Sequence, residues 1–314
     1  MGEMLSPAGP RLQHELALRL TRLRRSSRVA RWRAVAACAL TAGICSAAAA
    51  IAPSAGAFVH SWNAAGPRRR LSVHRGALSK VDASKLDGTP DELFYLLPRV
   101  GIYHVDDGFR AQLTQLYRLL VPPNGDVLDL CSQHDSHLPP EVEYRSLTVH
   151  GMNYLELLAN RRATRRFTQN FNRDPQLEQL ADESVDAALM SVSIQYMQRP
   201  GELLREVHRA LRPGGVAIVS FSNRMFFTKA VEAWRSQSSM RGLATLVQGY
   251  FAEAGFTGVR VANGVRLPSA GAGSARAGGD PFLAVIGFRS PAPEDAGPAE
   301  GVSWLATSGP GTIW

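Results

Sequence analysis

The sequence predicts an α/β protein: a doubly wound, mostly parallel seven-stranded sheet with helices on both faces. Three observations predict it. Apolar runs of strand length alternate with helical patterns from residue 126 onward, the order that makes parallel sheets. The run VAIVSFS at 216–222 is almost continuously apolar, as a strand covered on both faces must be. PGELLREVHRAL at 200–211 puts Leu203, Leu204, Val207 and Leu211 on one helical face and stops at RPGG, directly before that strand.

The elements follow in order. Residues 85–121 carry helical patterning, in DELFYLL and in FRAQLTQLYRLL, the latter ended by Pro122 and Pro123. Strands are expected at 126–131, 145–151, 164–169, 185–192 and 216–222. Residues 225–254 read as helical. FTGVRVAN (256–263) and PFLAVIGFR (281–289) read as a closing pair of strands. SAGAGSARAGGD at 269–280 is a low-complexity linker. The Pro-, Gly- and Ala-rich tail 291–314 is expected to be disordered. No internal repeat is present, and one domain over 85–290 accounts for the body.

Residues 1–80 read as a targeting leader. Leu16 to Val81 contains no Asp or Glu. An arginine-rich opening is followed by the uncharged run 34–52, then by Ala55 and Ala57 spaced as for signal-peptidase cleavage, then by GPRRRLSVHRG. A signal-type segment followed by an Arg-rich, acid-poor one resembles the two-part plastid presequences of algae with secondary plastids, so a plastid location is expected. The alternative is a membrane anchor through 34–52, and membrane association is expected only if that segment is retained; its alanine content makes it a weak membrane span.

The leader also explains the charge. Residues 1–81 hold 13 Lys and Arg against 2 Asp and Glu, whereas the rest holds 22 against 25. A nucleic-acid role needs a basic face on the body, and none is evident. Cys131 is the body's single cysteine, which excludes a disulfide framework or a cysteine zinc site. His134 and His137 read as polar loop residues, and no metal is expected.

The body resembles a class I S-adenosylmethionine-dependent methyltransferase of the type 11 group, and more narrowly a plastid methyltransferase-like family of plants and algae. The matching pieces are PRVGIYHVDDGF, DVLDLCSQHDSHLP, VHGMN, FNRDPQLEQLADESVDAALMSVSIQYMQRPGELLREVHRALRPGG and AIVSFSNRMFFTKAVEAW, in that order. The resemblance implies a Rossmann-like fold, S-adenosyl-L-methionine as cofactor and a small-molecule methyl acceptor. It places the cofactor beyond the carboxyl end of the first strand, where strand order reverses.

By the same resemblance Asp129 organises the loop after that strand, and Cys131, Gln133 and Asp135 stand where glycines are usual, with Ser132 between the first two. Asn153, beside Gly151, takes the place of the acid that receives the ribose hydroxyls. Asn170 takes that of the acid near the adenine amine. Ser191 follows the fourth strand. Candidates for acid–base work at the mouth are His104 paired with Asp107, and Tyr196; Tyr103, Asp106, Ser193, Gln195, Asn223 and Arg224 lie nearby in the pattern. Arg224 reads either as a holder of an anionic substrate or as a helix cap.

Three functions compete. The first is a plastid methyltransferase on a small or lipophilic acceptor. The second is a non-catalytic binding or assembly module whose glycine-free loop no longer takes cofactor. The third, a nucleotide-dependent oxidoreductase, lacks G-x-G-x-x-G and any Tyr-x-x-x-Lys pair.

Overall fold

A computed structural model describes residues 82–268, 279–290 and 299–305. The leader 1–80, with its 34–52 segment, lies outside the described residues, as do 269–278 of the linker and 291–298 and 306–314 of the tail.

Five strands run parallel in the order β3-β2-β1-β4-β5: β1 (Asp126–Leu130), β2 (Ser146–Gly151), β3 (Arg165–Thr168), β4 (Val185–Ser191) and β5 (Leu211–Phe221). β6 (Thr257–Val265) and β7 (Leu283–Phe288) extend the sheet beyond β5, with β7 antiparallel to both neighbours. The chain runs outward from β1 to β3 and then returns to place β4 on β1's other side. The order of this Rossmann-like sheet therefore reverses between β1 and β4.

The sheet has eight strands rather than seven. Val302–Trp304, in the tail expected to be disordered, forms β8 antiparallel to β6. Without it, β6 would present a row of unpaired backbone groups as a sheet edge.

Alternation along the strands feeds two cores. Leu128, Leu130, Ala188, Met190, Ala217 and Val219 face one side. There they pack on α4 (Pro200–Ala210) and α6 (Met240–Ala254) through Leu203, Val207, Val247 and Phe251. Val127, Ala187, Leu189, Val216 and Ile218 face the other, against Phe109, Leu113, Leu116 and Tyr117 of α2 (Asp107–Leu120). Asp106 caps α2 by accepting the Phe109 amide, Pro200 opens α4, and Gly255 at φ 91° ends α6.

Two helical readings shrink. In 85–121 only α1 (Asp91–Phe94) precedes α2. Pro98 and Gly101, the latter at φ 82°, keep the following residues out of a helix, so 82–104 form an irregular strap. In 225–254, residues 223–231 are not helical; α5 (Glu232–Arg235) and α6 are. Residues 226–232 are committed instead to the strap and the neighbouring loop. The Phe226 amide donates to Tyr196 Oη at 2.8 Å, the Thr228 carbonyl accepts from Asp87 and the Ser84 carbonyl accepts from Glu232. Conversely, the RPGG residues belong to β5. Val185 pairs with Leu211 and Ala187 with Val216, so they form a bulge in the strand.

Candidate functional site

The site lies where β1, β2 and β4 end. β1 stops at Leu130, and Cys131 takes φ 56°. This is the left-handed conformation that glycine adopts without penalty, so the loop keeps the turn although it lacks the residue. His150, the penultimate residue of β2, supports it. Its Nδ1 accepts the Cys131 amide at 3.1 Å, its carbonyl accepts the Ser132 amide at 2.6 Å, and Nε2 is 2.9 Å from the Gln169 carbonyl. A backbone donor on Nδ1 leaves the ring proton on Nε2, which donates to Gln169. The imidazole is fully enclosed, with Phe171 at 3.9 Å between ring centroids, and burial lowers its pKa to about 4.

Gly151 makes the close approach of loop and strand feasible. A Cβ there would sit 2.7 Å from the Ser132 carbonyl and 3.0 Å from Leu157 Cδ2. At the end of β4, Val192 is forced to φ 47°, a rare conformation for a β-branched residue. Its amide donates to the Ser220 carbonyl, and the turn brings Ser193 to the site.

A cavity of about 200 Å³ occupies this position. Its walls are Cys131, Ser132 and Gln133 of the loop; Gly151, Met152 and Glu156 from β2 and α3 (Tyr154–Ala159); Val192, Ser193 and Tyr196 after β4; and Tyr95, His104 and Phe226 from the strap and the 223–231 segment. Gln133 lines the space without closing it. His134 lies aside, its ring 4.9 Å from that of Tyr103.

A second cavity of about 70 Å³ adjoins the first and is lined by Asp129, Ser132, Ser136 and Ser191 among others. Asp129 is 5% exposed, and burial raises its carboxyl to about 6, with the hydroxyls of Ser132 and Ser136 and the His137 ring offsetting part of that. Asp129 Oδ2 and Ser132 Oγ are buried, and apart from the approach of the Ser132 hydroxyl to the Asp129 carboxyl neither has a hydrogen-bond partner.

The sequence-derived candidates fare unequally. Asp129, Cys131, Ser132, Gly151 and Ser191 line the two cavities. The Cys131 thiol is pushed up to about 12 by desolvation and is no nucleophile. Asn153 is committed elsewhere: it caps α3, with Oδ1 accepting from Leu155 and Glu156, and its Nδ2 donates to the carbonyls of Tyr95 and Leu96. Both amide hydrogens and both lone pairs are used within the chain, and Asn153, expected at a ribose diol, is not among the residues that line the main cavity. Asn170 donates to Glu92 Oε1 and accepts from Asn172 under the strap, and it lines a third cavity of about 30 Å³ that shares Tyr95, Cys131, His150 and Tyr196 with the main one.

The expected His104–Asp107 pair is not formed. Asp107 is exposed and bonded to Arg110, because it opens α2 and points to solvent. His104 lines the main cavity, is bonded to Gln133 at 3.2 Å, and is kept neutral chiefly by burial. Tyr196 Oη accepts from Phe226 and burial raises its pKa, so it keeps its proton as a hydrogen-bond donor. Arg224 neither caps a helix nor stands free; it pairs with Asp280.

Sequence reasoning missed Glu156, the one carboxylate lining the main cavity among the described residues. It is 6% exposed; one oxygen accepts the Arg99 amide, and burial raises its pKa. Its position three residues after Asn153, at the first turn of a helix, was the signal available. Among the described residues no group of three or more His, Cys, Asp or Glu is placed to hold a metal, and no helix is long and apolar enough to cross a membrane.

Residues 141–219 match the family model described as a methyltransferase domain. No curated protein matches the chain. Solved structures similar to it include S-adenosylmethionine-dependent methyltransferases from three organisms. The Thermotoga maritima structure has 19% identity and a TM-score of 0.40, covering 58% of this chain and 89% of that one. The values for Mesorhizobium loti are 16%, 0.42, 58% and 99%. Those for Archaeoglobus fulgidus are 11%, 0.40, 57% and 92%.

Proposed function

We propose that the chain is an S-adenosylmethionine-dependent methyltransferase acting on a small or lipophilic acceptor in the plastid. The observation that carries this is the pair of joined cavities at the switch point, with Asp129 Oδ2 and Ser132 Oγ buried and, beyond each other, without a partner at one end and Glu156 at the other. The residues present fit the cofactor: Asp129, Ser132 and the 131–133 backbone would hold its amino-acid end, and Glu156 its ribose in place of the committed Asn153. The match of 141–219 to a methyltransferase domain adds to this reading. The leader's composition supports the plastid location.

The cofactor would supply an activated methyl group. The chain's own work is to align the acceptor and exclude water. Tyr95 and Phe226 roof the cavity, and Tyr196 and His104 offer polar atoms to an acceptor. His104, neutral near pH 7, is able to take a proton from an acceptor that must lose one.

Isothermal titration of the chain with S-adenosylmethionine and S-adenosylhomocysteine tests the reading. Saturable binding of both, weakened at least tenfold in Glu156→Gln, is expected. No heat at millimolar cofactor overturns it and leaves the non-catalytic module.

A further inference from the structure

Exposed large apolar side chains are not scattered over this surface. Ten of the twelve found among the described residues lie on the strap or on α3. Leu96 and Leu97 on the strap are 62% and 60% exposed; Tyr154, Leu155 and Leu158 on α3 are 51%, 49% and 49% exposed. The two elements are stitched together. Asn153 at the head of α3 donates to the Tyr95 and Leu96 carbonyls, and Glu156 accepts the Arg99 amide. Leu96 and Leu97 therefore lie beside the head of α3 and its exposed apolar side chains, and Tyr95 and Glu156 between the two elements line the main cavity.

Acidic side chains border the two ends of the strap, Asp82 beside Leu86 and Asp107 beyond Tyr103, whereas at the α3 end the unpaired charge is basic. Glu156 is turned inward to the Arg99 amide, and Glu92 is held by Asn170 and Arg173. Arg161 and Arg165, which follow α3 directly, are exposed and make no ion pair among the described residues. Aliphatic side chains with one tyrosine, bordered by unpaired arginines, match the pattern of a face that lies in a lipid interface. A patch of this kind is unusual on a surface that meets only water.

We propose that the strap and α3 seat the protein on an anionic lipid bilayer, with the mouth of the cavity at the membrane surface. Seating depends on neither cofactor nor turnover, so it stands or falls apart from the activity. Flotation of the full chain with vesicles of phosphatidylcholine alone, or with phosphatidylglycerol added, tests it.

The full chain is expected to float with the anionic vesicles. Leu97→Asp combined with Leu155→Asp should lower the bound fraction at least tenfold, with an unchanged circular dichroism spectrum and urea midpoint. Leu119→Asp, on α2, should leave it unchanged. Arg161→Glu combined with Arg165→Glu should lower binding to anionic vesicles more than to neutral ones. Binding that survives the Leu97/Leu155 changes overturns the proposal, since another part of the chain then carries it. So does a concentration-dependent dimer that these changes abolish, since the surface would then cover itself.

Discussion

The imidazole of His150 accepts the amide proton of Cys131 and holds the first loop residue in a left-handed turn. A buried side chain on the neighbouring strand thus fixes the loop conformation that glycine would adopt by freedom alone. The enclosure that keeps this imidazole neutral is what lets Nδ1 remain an acceptor.

His150→Phe should keep the packing on Phe167 and Phe171 but strand the Cys131 amide and the Gln169 carbonyl. We expect a loss of about 2 kcal/mol in stability and at least a tenfold loss of cofactor affinity. Urea unfolding and titration calorimetry measure both.

His150 and Asp129 should tilt stability against pH in opposite directions. Asp129 has its pKa raised from 3.8 to about 6. Between these values the folded chain holds a proton that the unfolded chain has lost, so stability falls as pH rises, by about 3 kcal/mol in all. His150 has its pKa lowered from 6.5 to about 4. There the unfolded chain holds the extra proton, so stability rises with pH by about 3 kcal/mol. The native profile from pH 4 to 6.5 should be nearly flat in these two contributions. Asp129→Asn should expose a rising slope, and His150→Phe a falling one, in urea midpoints measured across that range.

Gly151→Ala should destabilise by about 1–3 kcal/mol, because the new methyl group meets the Ser132 carbonyl at 2.7 Å and Leu157. The Ser132 carbonyl belongs to the loop, so cofactor affinity should fall together with the melting temperature.

Asn153→Asp separates the ribose role from the capping role. A carboxylate still caps α3 but loses both donations to the strap and faces the Tyr95 and Leu96 carbonyls. Stability should drop by about 2 kcal/mol and affinity should not improve. A tenfold gain in affinity would restore the ribose assignment.

Lys229→Met should loosen the strap. Lys229 is 1% exposed, donates to the Asp87 and Thr89 carbonyls and lies 3.5 Å from Asp87 and 3.8 Å from Asp91. Its loss should cost about 3 kcal/mol and make residues 85–100 the first site of limited proteolysis.

The central strands were readable because their period and apolar content are local properties. β1, β2 and β4 stand within a residue of the expected ranges. The cavity walls from Cys131 to Ser132 followed from where β1 ends. The roles of Asn153 and Asp107 were not readable, because a polar residue beside a helix start can serve a ligand, a cap or solvent. Only the strap's return across α3 decides for Asn153, and it lies 57 and 58 residues away in sequence. His150 was hidden for a similar reason: within VHGMN it is an ordinary strand residue, and its partners are the loops after two other strands. β8 depends on pairing with β6, which a three-residue run cannot announce.

The strap also sets an order of assembly. Residues 82–104 leave the ribosome before any strand, yet the ammonium that anchors Thr89 arrives 140 residues later, and the Asp280 carboxylate that receives the Asp106 amide arrives 174 residues after it. The roof of the cavity is thus made first and fastened in stages, at Asn153, Glu156 and Asn170 before Lys229. A chain stopped short of residue 229 would hold the strap through Asn153, Glu156 and Asn170 but not at Asp87 and Thr89, so nascent or truncated forms should close the cavity less firmly than the finished protein.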